Sequence, residues 1–468
     1  MITLDQRGCG QGKTTTGIYN RIVANESANI KTLIVVPSIN LMEQYKKHLP
    51  DAQIINSSLY NKKHFDLGLC QFKSTVEAFL DTVRNSNKTV IVITHSTFLM
   101  LPKIGERKNY DLIIDEAIED IIHLTKVVTI KNDVWKPNLD LLNIFEFKDN
   151  IHREMIELQA DDDNDWYELI QFREATDNLF TDSPSFKAIT DKNFIPHVTG
   201  LGWSLLNGQT GGELSIVSTL NPDVLRNWKS VYIACAAFQY TKMYHWMRFY
   251  DFEMYTPSSY RFKPHDCNIK LFTSNNNKFK WSNSKRETYP EILKKFHEEV
   301  IAHTKDERIL ALRNNGESQH LGDLERKVNH NVHGLNDLQE YTNVSLESAL
   351  IPDPRIKKFI LDNWLQSMTR TQQNKALIHM QAGHLFYQVI MRTRLRSLEY
   401  ANEQIKVFVP DQDTGVCITD YFNPEGIDPY EMDITSGIKF KPRGQPEKEV
   451  KLTPAEKQKR YREKKKET

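Results

Sequence analysis

Residues Arg7–Thr14 read R-G-C-G-Q-G-K-T, a composition and spacing suited to holding a polyphosphate. Gly8, Gly10 and Gly12 permit the backbone angles that turn amide N–H groups inward around phosphate oxygens. Lys13 supplies a point charge for β- and γ-phosphates, the Thr14 hydroxyl can ligate Mg²⁺, and Gln11 and Thr15 complete the candidate binding loop. The strict pattern has a glycine where this chain has Arg7, but the core G-x-G-K-T-T is intact. Cys9, inside the loop, reads as a small filler rather than a nucleophile. Downstream, Asp115-Glu116 closes the apolar run L-I-I-D-E-A-I. Asp115 at a strand end can hold Mg²⁺ through water, and Glu116 beside it can polarise the water that attacks a γ-phosphate. An isolated D-E pair means little; after a phosphate loop and a buried strand it points to nucleotide hydrolysis.

Such chemistry requires elements that end at these residues. Met1–Leu4 can form a strand ahead of the loop, and Thr14–Glu26 reads as a helix whose N-terminus faces the anion. Apolar runs follow at Thr32–Val36, Val90–Thr94, Asp111–Asp115 and Val231–Ala236. Runs apolar throughout suit parallel strands buried on both faces. Alternation with helical stretches predicts a doubly wound α/β domain with function at the carboxyl ends of its strands. A second set begins near Cys267, with strand candidates Ile269–Phe272, Arg308–Leu312, Asn343–Leu346 and Ile405–Val409, and a helical stretch Ala376–Leu398 before the last. The expected layout is a first domain over 1–250, a second over 265–437 and a tail over 438–468. Within the first, the pattern breaks at about 130–215, read as a largely helical insertion. Its carboxylates around Asp161–Asp163 read mainly as a solvated face, a metal site being the lesser reading.

At 468 residues the chain suits two or three domains. It has no apolar run of the ~18 residues that would span a bilayer, so no membrane association is expected. The phosphate loop stands where a signal peptide would, and five cysteines without C-x-x-C spacing argue against zinc or disulfide frameworks; a reducing cytoplasm is the expected location. The net charge of zero hides an uneven distribution. Residues 439–468 carry 12 Lys/Arg against 5 Asp/Glu, and residues 146–182 carry 12 acids against 3 bases. The tail reads equally as a basic arm on DNA or as a solvated helix.

In these motifs and their order the chain resembles the superfamily 2 helicases, whose motor is a pair of RecA-like domains with ATP in the cleft. D-E-A-I is similar to the D-E-A-D and D-E-A-H boxes. Thr32–Ser38 and Ile91–Ser96 resemble the strand-and-loop segments that touch the nucleic-acid backbone, which implies roles for Pro37, Ser38, Thr94 and His95. Ala234–Thr241 stands where a coupling motif is expected but lacks its S-A-T wording. His333–Val344 falls in the region of the later motifs. Phe386–Arg396 (F-Y-Q-V-I-M-R-T-R-L-R) resembles the segment whose glutamine and two arginines reach the γ-phosphate from the second domain. Gln388 and Arg392 keep the family step. Leu395 stands where the second arginine is usual, so Arg396 or Arg394 must serve, and i, i+4, i+8 spacing on a helix favours Arg396. There is no room before Arg7 for the upstream glutamine motif of the D-E-A-D branch. The H-G-L-N and Q-x-x-M-R-x-x-L-R wording looks most like helicase-like proteins of bacteriophages.

The resemblance implies an ATP- and Mg²⁺-dependent helicase or translocase acting on nucleic acid, DNA rather than RNA, in viral replication or recombination alongside other proteins of those processes, within a host cytoplasm. Contacts would be mainly to phosphates, because no base-reading module is visible. The alternatives are a packaging-type translocase that does not unwind its duplex and an inactive nucleic-acid-binding scaffold.

Overall fold

The structure, a computed structural model, describes residues 1–101, 105–127, 145–148, 155–160, 192–199, 214–305, 307–314, 321–330, 337–350, 352–396 and 403–440. In chain order its strands are β1 (Ile2–Asp5), β2 (Lys31–Val36), β3 (Gln53–Ile55), β4 (Val90–Thr94), β5 (Tyr110–Asp115), β6 (Ile122–Val127), β7 (Phe145–Lys148), β8 (Met155–Ala160), β9 (Phe194–Thr199), β10 (Leu214–Leu220), β11 (Ser230–Ala234) and β12 (Met254–Tyr255). The second half continues with β13 (Ile269–Ser274), β14 (Ile309–Leu312), β15 (Glu325–Val328), β16 (Asn343–Leu346), β17 (Ile405–Phe408) and β18 (Ile427–Met432).

Two parallel sheets flanked by helices make the fold doubly wound α/β in both halves. The first has the order β12-β1-β11-β5-β2-β4-β3, the second β15-β14-β16-β17-β13-β18. The apolar runs behave as their composition dictates. Leu33–Val36 and Ile91–Ile93 are fully buried, with helices on both faces removing each side chain from water. Asp111 at the start of β5 is the exception, and it is fully paired: Arg21 donates to both its oxygens at 2.5 and 2.8 Å, and Asn25 and Ser230 add further bonds. A buried carboxylate is tolerated where its oxygens are satisfied in this way. In the first sheet, β11 lies between the strand that feeds the phosphate loop and β5, so Asp5 and Asp115 flank Ala234 on either side at the carboxyl edge of the sheet.

The insertion departs from expectation. A largely helical segment is predicted over 130–215, yet its described residues pair as an antiparallel sheet, β6-β10-β9-β8-β7, that begins before and ends after that span. Phe194–Thr199 and Leu214–Leu220 are rich in β-branched residues, and Val198 and Ile216 are buried between strands, so β-propensity and cross-strand packing decide the outcome. The acidic Asp161–Asp163, the glycine-rich 200–212 stretch and the basic tail from 441 lie outside the described residues.

The helical stretch before β17 also differs. It runs Arg370–Ile378, widens to a π-turn at His379–Gly383, and ends as an α-helix at Ile390. Arg392 lies in the turn beyond, and Arg394–Arg396 form a short 3₁₀ turn. The three arginines therefore do not share one continuous helix with Gln388. The Thr393 hydroxyl bonds the Ile390 carbonyl at 2.6 Å, satisfying an end carbonyl and fixing the exit.

Candidate active site

β1 delivers the glycine-rich loop. Asp5, buried at the strand end, accepts from the Arg7 guanidinium at 2.5 and 2.9 Å and from the Tyr232 hydroxyl at 2.7 Å. Arg7 also donates to Thr16 at 2.9 Å and lies 4.7 Å over the Tyr260 ring. The residue found where a glycine is usual is thus a brace between the strand, the following helical turn and the segment after β12. Within the loop, the Gly8 amide donates to Gln11 Oε1 at 2.8 Å, and Gly10 and Gly12 adopt left-handed φ of 79° and 80°. Those angles strain any residue with a Cβ. Lys13 is buried, and its Nζ donates to the carbonyls of Arg7 (3.0 Å) and Gly8 (3.2 Å). Burial works against its charge, but Cys9, Glu116, Cys235 and Asp115 together hold its pKa above the usual lysine value.

β5 delivers Asp115 and Glu116. The buried Tyr45 hydroxyl donates to Asp115 Oδ2 at 2.7 Å and is also bonded to the Thr14 side chain. Two groups capable of ligating Mg²⁺ thus converge on one phenol oxygen, an arrangement compatible with both serving one hard cation. Burial first, and Glu116 second, push the Asp115 carboxyl up to about 7 against the pull of Tyr45, Lys13 and Arg392. His95 Nε2 lies 3.2 Å from the Asp115 carbonyl. Glu116 has φ of 69°, left-handed backbone in a residue that is not glycine, with its amide bonded to the Ala234 carbonyl. Such conformations cost on the order of 1–3 kcal/mol and concentrate at functional sites.

The second sheet's share arrives after Ile390. Arg392 and Arg396 border the same cavity, about 290 Å³, as Gly10, Gly12, Lys13, Thr14, Thr15, Asp115 and Glu116. Burial and the neighbouring Arg392 charge lower the Arg396 pKa from its ordinary value. Arg394 turns elsewhere, pairing with Glu403 at 2.5 Å. The choice of Arg396 over Arg394 therefore matches the cavity lining, although the helical-face reasoning behind it does not match the backbone. Gln388 is not among the residues bordering this cavity. Its amide donates to Glu116 Oε2 at 3.2 Å from the far side, where it lines a larger cavity of about 690 Å³.

Of the four candidate nucleic-acid contacts, Pro37 and His95 border that larger cavity. Ser38 and Thr94 are buried, and their hydroxyls accept from the amides of Leu41 and Thr97 as helix N-caps.

Several residues at this junction have no local sequence signal. The Tyr387 hydroxyl bonds the Cys9 amide at 2.9 Å and His265 Nε2 at 2.8 Å, joining the loop, the second sheet's helix and the segment between the sheets. A Cβ on Gly8 would fall 2.3 Å from His265 Nε2, so glycine is required there by close approach. Tyr45 and His265 carry no spacing that announces them. Asp5, an acid closing an apolar strand two residues before an arginine, was open to detection.

No protein-family model matches the chain, and no curated protein matches it. Among solved structures it is similar to the structure of S. tokodaii Xpd4, with a TM-score of 0.46, 13% identity, and coverage of 92% of this chain and 96% of that one. A likeness of this degree carries no functional argument. Among the described residues, no helix is long and apolar enough to cross a membrane.

Proposed function

We propose that the protein is a Mg²⁺-dependent ATP hydrolase that translocates along, and separates strands of, nucleic acid. One observation carries the reading: Arg392 and Arg396, from the half of the chain that builds the second sheet, border the same cavity as Lys13, Thr14, Asp115 and Glu116 from the first. In this reading Lys13 and the loop amides hold the β- and γ-phosphates, and Thr14 and Asp115 hold Mg²⁺. Held there, Mg²⁺ would supply charge neutralisation for the phosphates. Glu116 orients the attacking water and accepts its proton, while the Gln388 amide fixes the carboxylate that does so. Arg392 and Arg396 meet the charge that develops on the transferred phosphoryl group. Because they come from the other half, hydrolysis requires the halves to be closed, which couples turnover to their relative motion.

Pro37 and His95 are proposed to face the track on the first half, with phosphate contacts that weaken as salt rises. DNA as that track, and a place in viral replication or recombination, rest on the resemblance of the H-G-L-N and Gln388–Arg396 segments. The test is ATP hydrolysis with Mg²⁺, alone and with single-stranded, duplex or forked DNA or RNA. Strong stimulation by one of these identifies the track, and absence of hydrolysis under every condition overturns the reading.

A further inference from the structure

Behind Glu116 the two halves bring together three groups of a different character. The Cys235 thiol follows β11, His384 opens the helix His384–Ile390 in the second half, and Glu116 follows β5. One ligand atom from each lies within 4.8 Å of the others, with Cys235 and His384 buried. Cys235 Sγ is 3.8 Å from His384 Nε2. Two ligands at ~2.3 Å (sulfur) and ~2.0 Å (nitrogen) from a tetrahedral zinc sit ~3.5 Å apart, so this spacing is close to what one ion demands. The Gln388 amide lies 3.1 Å from His384 Nε2 and 3.2 Å from Glu116 Oε2, so an ion entering the cluster takes over the Nε2 position that the amide now contacts. His384 and Gln388 border the 690 Å³ cavity, which offers an entry path.

We propose that Glu116, Cys235 and His384 form a binding site for one borderline-soft divalent cation of the zinc class, with a fourth position left for water. A thiolate, an imidazole and a carboxylate suit such an ion, whereas Mg²⁺ prefers oxygen ligands alone and is not a competitor. Binding replaces the thiol proton with the metal and releases that proton to solvent, with no change of oxidation state. The ion would join ligands from both halves, and it would take Glu116 away from water. Bound metal therefore arrests the closed motor. That consequence rests on the proposed ATPase, but the binding itself does not.

Co²⁺ added to the full chain without nucleotide is the direct probe. A thiolate-to-cobalt charge-transfer band saturating at one equivalent, bleached by Zn²⁺, is expected. The band should vanish in Cys235→Ala, and affinity should fall in His384→Asn by more than the ~10–100-fold that loss of an outer-shell partner costs. Gln388→Ala, which leaves all three ligands in place and uncovers Nε2, should keep the band. Zn²⁺ should inhibit ATP turnover in the wild type, and in Cys235→Ala the rate relative to that variant's own turnover in Mg²⁺ alone should not fall when Zn²⁺ is added. No band in the wild type, or a band that survives in Cys235→Ala, overturns the site. A band in a protein that hydrolyses no ATP keeps the site and removes the ATPase reading. If His384→Asn does not fold, the wild-type band and Cys235→Ala, a small truncation, still decide the question.

Discussion

The Tyr45 hydroxyl donates to Asp115 Oδ2 across 2.7 Å, both side chains buried, tying the helix after β2 to the acidic end of β5. Because Tyr45 also contacts Thr14, it holds both proposed magnesium ligands without being one itself. Tyr45→Phe keeps the ring packing and deletes only the hydroxyl. The Mg²⁺ concentration required for half-maximal ATP turnover should rise by about 10-fold, as for other outer-shell partners. An unchanged requirement in a Mg²⁺ titration would remove Tyr45 from this role.

Lys13→Ala and Glu116→Gln should each abolish turnover, by at least about 100-fold, with folding retained. Nucleotide binding separates them. Lys13→Ala should lose affinity for ATP, whereas Glu116→Gln, nearly isosteric, should keep it. Filter binding and hydrolysis on the same samples check both, and full activity in either variant would sink the assignment.

Arg396 and Arg394 make opposite predictions despite lying two residues apart. Arg396→Ala should cut turnover by roughly 10³-fold while ATP still binds, the effect expected of an arginine that acts across a cleft. Arg394→Ala removes a partly exposed pair with Glu403 and should cost no more than about 1 kcal/mol of stability. Single-turnover hydrolysis paired with urea unfolding distinguishes them; a reversal would mean that Arg394 is the reaching residue.

Stability should depend on His245. Burial, then the charges of Arg248 and His379, push it down to about 4. The folded chain thus leaves it neutral where the unfolded chain, near pKa ~6.5, takes up a proton. Its contribution is present above that value and lost as pH falls toward 4, on the order of 3 kcal/mol at ~1.4 kcal/mol per unit. Asp115, raised to about 7, slopes the opposite way, so the comparison is between the wild type and His245→Gln. Urea unfolding at pH 7 and 4.5 should show a shallower loss in the variant; parallel losses would contradict the burial argument.

How legible all this was depends on how local each feature is. The phosphate loop is contiguous, and its glycines, lysine and threonine can be recognised without knowing the fold. The middles of β2, β4 and β5 are apolar without a break, so their burial follows from composition. Arg392 and Arg396 required a register, and helical periodicity was the wrong guide, because the Thr393 hydroxyl ends the regular helix before either is reached. In the insertion the runs Phe194–Thr199 and Leu214–Leu220 went unread as strands because they are short and stand apart, and the edge strand β6 that pairs with the second is distant in sequence. Tyr45, His265 and Tyr387 were invisible for the same reason: each matters through a contact that only the folded chain creates.

Glu116 pays for its position in backbone energy. At φ of 69°, glycine would sit there more comfortably, so the fold on its own would favour losing the side chain. A Glu116→Gly protein should be easier to make and harder to melt than the wild type, yet inert. A sturdier backbone and the carboxylate's chemistry therefore pull against each other at this one residue.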